Sequence, residues 1–128
     1  MKTFFASLLL ISAVLTFVIC NSCYIGGKID ALLEIAETLP ADADAFEAGK
    51  DTLEEDMERL WQMWDESFNR IAFTAGYDNI NRADDAILLM YISYRDGDGD
   101  DFAVARMTFC DGLKRLKMLE SFTLDGIF

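Results

Sequence analysis

The pattern of apolar and polar positions changes character once along this chain, near residue 27. From Thr3 to Gly27 no charge interrupts a run of 25 residues, and Phe4 to Cys20 is almost continuously apolar. Beyond that point apolar residues recur at three- and four-residue intervals among charged ones, the periodicity of amphipathic helices. The chain therefore divides into an apolar leader, residues 1–27, and a helical domain, residues 28–128.

Phe4 to Ile25 is 22 residues, about 33 Å as an α-helix against a hydrocarbon core of about 30 Å. Ser7, Ser12 and Thr16 interrupt it mildly, because a helical hydroxyl can return its hydrogen bond to a carbonyl one turn back. A cleaved signal wants small residues after the apolar run, and Cys20 with Ser22 is a poor version of that pattern. Lipidation of Cys20 or Cys23 wants small residues directly before the cysteine, whereas Phe17, Val18 and Ile19 precede Cys20, and Cys20, Asn21 and Ser22 precede Cys23. The leader is expected to be an uncleaved transmembrane signal-anchor, with a cleaved signal as the alternative. Lys2 and the free amino terminus lie before the run, and Lys28, Asp30, Glu34 and Glu37 follow it. The positive-inside bias then predicts a single-pass protein of the cell membrane with its C-terminal domain extracytoplasmic.

In the domain, Ile29, Leu32, Leu33, Ala36 and Leu39 predict a helix running out of the anchor, loosened at Gly26 and Gly27 and ended by Pro40. Asp44 to Thr74 reads as one long helix with Phe46, Leu53, Met57, Leu60, Trp64, Phe68 and Ile71 on its apolar stripe. Ala75-Gly76 breaks the pattern, and Asp78 or Asn79 is positioned to cap a helix bearing Ile80, Ala83, Ile87, Met90, Tyr91 and Tyr94. Arg95 to Asp101 reads as an acidic loop, and a last helix carries Phe102, Ala105, Phe109, Leu113 and Leu116 as far as Glu120. Short connections between successive amphipathic helices imply antiparallel neighbours. The fold class expected is all-α, an N-terminal transmembrane helix followed by an antiparallel up-and-down helical bundle.

Charge narrows the choice of partners. All 23 acidic residues but only ten of the eleven basic ones lie from Lys28 onward, a net charge of −13 for residues 28–128. The domain is expected to repel nucleic acid and anionic lipid headgroups, since binding either begins with a basic patch. About a hundred residues build one core.

Candidate chemistry is sparse. Asp96, Asp98 and Asp100 resemble the opening of a calcium loop, but Asp101 and Met107 stand where glycine and a bidentate glutamate are needed, leaving them weak ion-binding candidates. Glu54 and Glu58, one turn apart, lack the histidine a bundle di-metal site uses, and the chain has none. One Cys-x-x-Cys, Cys20 with Cys23, plus a distant Cys110 supplies too few zinc ligands. Hydrolase nucleophile motifs and phosphate-binding glycine loops do not occur. No enzyme activity and no cofactor are expected. Trp61 and Trp64, one turn apart, together with Phe68, are candidates for core packing or for an interaction site. Leu124, Ile127 and Phe128 at the end of the sequence would be docked on the bundle or serve as a docking peptide.

With Trp64, the acidic loop and the ending Ser121-Phe122-Thr123-Leu124-Asp125-Gly126-Ile127-Phe128, the chain resembles a clostridial and Firmicutes family of short proteins, a domain of unknown function. The resemblance is one of layout over most of the chain: one N-terminal membrane segment, a tryptophan-bearing central helix, two further helices and a closing Ile-Phe. Tyr77 and Asp78 occupy the region where the family often carries a His-Glu pair. The resemblance implies architecture and location without a reaction. The function expected is a membrane-tethered extracytoplasmic interaction module for another envelope protein; the alternative is an ion- or small-ligand-binding sensor domain.

Overall fold

The computed structural model describes residues 1–127, with side chains for residues 1–119. The expectation for the docked or exposed Ile127 and Phe128 lies outside the described side chains. Among the described residues every regular element is a helix: α1 (Lys2–Thr38), α2 (Ala43–Ala48), α3 (Lys50–Ala75), α4 (Tyr77–Asp96) and α5 (Gly99–Ile127).

α1 is 37 residues long, about 55 Å. Its first half, Phe4 to Phe17, is exposed, while Ser22, Ile25, Ile29, Leu32, Ile35 and Ala36 are buried in the bundle. Burial thus starts ahead of Lys28, and no linker separates the apolar stretch from the domain. Gly26 and Gly27 do not loosen the helix as expected. Ile25 and Ile29 are locked in the core on either side, and that packing outweighs a propensity cost of about 1 kcal/mol per glycine. Before Pro40 the chain turns extended at Leu39, as the residue preceding a proline prefers.

The long helix expected from Asp44 is two helices. Asp42 caps α2 by accepting a 2.7 Å hydrogen bond from the Ala45 amide, and α2 ends at Gly49, where α3 starts. The break lets α2 cross the end of the bundle and set Phe46 against Phe102, ring centroids 5.3 Å apart. Gly99 makes room for this crossing: a Cβ there would lie 2.9 Å from Ala43 Cα. Helical spacing alone did not distinguish a stripe from a stripe with a corner in it.

Gly76, at φ 88°, joins α3 to α4. Asp78 and Asn79 do not cap α4; Asn79 instead donates back to the Ala75 carbonyl at 2.6 Å. The acidic loop expected from Arg95 to Asp101 shrinks to Gly97 and Asp98. Gly97, left-handed at φ 73°, and Asp98 donate to the Tyr94 and Ser93 carbonyls, closing α4. The Asp98 carboxylate then accepts from the Asp101 amide at 3.0 Å, capping α5.

The order around the bundle is α1, α3, α4, α5, each antiparallel to the next and α5 closing against α1. Cross-helix contacts set the registers: Asn21 with Thr74, Trp64 with Asp84, Ala83 with Gly112, and Arg106 with Ala36. Ile29, Leu32, Leu60, Met90 and Phe109 fill the centre. The fold is an all-α antiparallel bundle entered by a long apolar helix.

Candidate interaction surface

The two tryptophans, although one turn apart, have different surroundings. Trp64 is 2 % exposed, edge-on to Phe109 at 5.4 Å and to the half-buried Phe68 at 6.0 Å. Trp61 is 37 % exposed and lies over the Tyr91 ring at 5.5 Å. The reason is angular. Trp64 falls on the buried stripe of Leu53, Met57, Leu60 and Ile71, whereas Trp61 sits at its margin, where α4 covers only one face of the ring.

Beside Trp61, an open cleft of about 330 Å³ runs between α3 and α4, lined by Glu54, Met57, Glu58, Tyr91, Tyr94 and Arg95. The Arg95 guanidinium lies 5.8 Å from the Tyr91 ring centre. Burial, followed by the charges of Glu54 and Glu58, raises the Tyr94 phenol above its ordinary pKa, so it stays a neutral donor facing two carboxylates.

Asp96, Asp98 and Asp100 are not brought together. Asp96 ends α4, Asp98 is engaged in capping, and Asp100 belongs to the first turn of α5. Among the described residues no group of three or more histidines, cysteines or carboxylates is placed to hold a metal ion. The charge of Asp98 and a hydrogen bond to it raise the Asp101 pKa. Cys20 and Cys23 are exposed, and Cys110 is buried.

The most distinctive surface is one that helical periodicity did not single out. On α4, Ile87 and Met90 point inward while Leu88, Leu89 and Ile92 stand exposed on the opposite side. On the outer side of the adjoining α5, Val104 and Met107 are exposed as well, three residues apart and on one face. A signal for this existed in the run Ile87-Leu88-Leu89-Met90: four consecutive apolar residues on a helix cannot share one face, so two of them must point away from the core.

No family model, no curated protein and no solved structure matches the chain, so its functional reading rests on its own residues.

Proposed function

We propose that the protein is a membrane-tethered extracytoplasmic interaction module that binds another envelope protein through the outer face of α4 and α5. The observation that carries the reading is the exposed apolar set Leu88, Leu89, Ile92, Val104 and Met107, on a bundle whose core is already filled by other residues. Large apolar side chains left exposed on two adjoining helices favour an interaction site over a plain solvated surface. Tethering is supported by α1, which is long and apolar enough to cross a membrane, with its apolar window free of burial. The orientation rests on Lys2 and the amino terminus before that window against Lys28 alone close behind it. The acidity of residues 28–128 argues against nucleic acid as a partner.

The test is co-purification of full-length protein from native membranes in mild detergent. Leu89→Glu and Ile92→Glu should each lose the partner while keeping the wild-type melting temperature, since neither side chain is in the core. Retention of the same partner by the double variant would defeat the reading. Anchoring is checked by carbonate washing, and orientation by adding protease to intact spheroplasts, which should digest the domain.

The cleft beside Trp61 favours a second reading, a sensor for a small cationic ligand. Glu54 and Glu58 line the α3 wall, and the Tyr91 and Tyr94 rings, beside Arg95, line the α4 wall. A melting shift with a polyamine that disappears in Glu58→Gln would support it.

A further inference from the structure

The length of α1 leaves no room between bilayer and bundle. Phe4 to Asn21 is 18 residues, about 27 Å of helix against a hydrocarbon core of about 30 Å. At Asn21 the bundle has already begun. Its side-chain amide donates to Thr74 Oγ1 at 2.9 Å and accepts from Arg70 Nε at 3.0 Å. These bonds hold the end of α3, and with it the turn at Gly76, level with the last residues of the apolar stretch.

That turn exposes two large aromatic residues. Phe73 is 85 % exposed and Tyr77 62 %. Close by, Arg70 stacks over the Tyr24 ring at 3.9 Å, with Lys28 Nζ 5.6 Å from the same ring. Charge is graded along the bundle in the same sense. From Ser67 to Arg82 the chain carries Arg70 and Arg82 against Asp78, whereas from Asp42 to Glu58, at the opposite end, eight acidic residues face Lys50 alone. Exposed aromatic residues flanked by cations are the side chains that favour the headgroup layer.

Resting on the anchor reading above, we infer that the α3–α4 turn is a second membrane contact, in which Phe73 and Tyr77 enter the bilayer interface and Arg70 and Lys28 face lipid phosphates. The bundle then stands on the membrane in one orientation, with its acidic end and the outer face of α4 and α5 held away from the lipid. A partner would meet a domain of fixed height and tilt.

The test places the photo-crosslinker p-benzoylphenylalanine singly at residues 10, 73, 77 and 92 of the full-length protein. The protein is reconstituted in vesicles of phosphatidylethanolamine and phosphatidylglycerol, and lipid adducts are measured by mass spectrometry. Leu10, Phe73, Tyr77 and Ile92 are all exposed, so none of the replacements disturbs the core. Lipid adducts at 73 and 77 should fall within about threefold of those at 10, and those at 92 roughly tenfold lower, as interfacial immersion requires. Adducts at 10 with 73 and 77 no higher than 92 would overturn the inference and leave the anchor standing. Absence of adducts at 10 would remove the anchor and the inference with it. Protein–protein crosslinks in place of lipid adducts at 73 would assign the turn to a second copy or a partner and also overturn it.

Discussion

The indole N–H of Trp64 on α3 donates a 2.9 Å hydrogen bond to the Asp84 carboxylate on α4, a polar tether for a side chain otherwise packed against Phe68 and Phe109. A buried tryptophan needs a partner for its N–H, and Asp84, half-buried at the helix margin, supplies one while keeping contact with water. Trp64→Ala should cost about 3–5 kcal/mol of unfolding free energy, the range for truncating a large buried aromatic. Asp84→Ala should cost about 1–2 kcal/mol by stranding the N–H. Urea unfolding in mild detergent measures both, and a loss below about 1 kcal/mol for Trp64→Ala would contradict its place in the core.

Arg106 reaches from α5 to the end of α1, where Nε donates to the Ala36 carbonyl at 2.8 Å and an Nη to the Glu37 carbonyl at 3.0 Å. The Ala36 carbonyl already accepts from the Leu39 amide at 3.3 Å, and the guanidinium fork adds a bond to it and one to the next carbonyl while meeting the negative end of the helix dipole. Arg106→Ala should destabilise by about 1–2 kcal/mol. Arg115→Ala, which removes only an exposed pair with Asp111 on the same helix, should change stability by less than about 0.5 kcal/mol. Equal effects of the two would count against the capping role.

Gly112 and Ala83 allow α5 and α4 to approach closely: a Cβ on Gly112 would lie 3.1 Å from Ala83 Cβ. Gly112→Val should therefore cost about 1–3 kcal/mol through overpacking. Gly27, also helical, has open space where its Cβ would be. Gly27→Ala should raise stability by about 0.5–1 kcal/mol, the ordinary gain from replacing a helical glycine. Thermal melts of the two variants in the same detergent should move in opposite directions.

Burial pushes the Cys110 thiol above its usual pKa, more than the nearby Arg106 and Lys114 lower it. The folded state therefore holds the thiol proton more tightly than the unfolded chain, whose cysteine titrates near about 8.5. Its contribution to stability is complete below that pH and is lost as pH rises through the folded pKa. Above about pH 8.5, stability should fall more steeply in the wild type than in Cys110→Ala. Parallel slopes of the urea midpoint against pH would remove Cys110 from the cause.

The local features of this protein were legible in the sequence because their physics is local. A 25-residue uncharged run makes a helix able to span a membrane wherever it is placed. The spacing of Leu53, Met57, Leu60, Trp64 and Ile71 makes an apolar stripe, and glycine at positions 76 and 97 ends helices by taking positive φ. What the sequence left open depended on neighbouring elements. The corner at Gly49 exists because Phe46 has Phe102 to cover, a contact between residues far apart in the chain. Helical spacing put Trp64 and not Trp61 on the apolar stripe, and the position of α4 decided how far the marginal Trp61 ring is covered. Leu88, Leu89 and Ile92 became a surface because Ile87 and Met90 had claimed the core side of α4. The height of Phe73 and Tyr77 against the apolar stretch came from two hydrogen bonds of Asn21. Composition and period determine what each helix is, while the faces it offers to a partner or a membrane are those its neighbours leave uncovered.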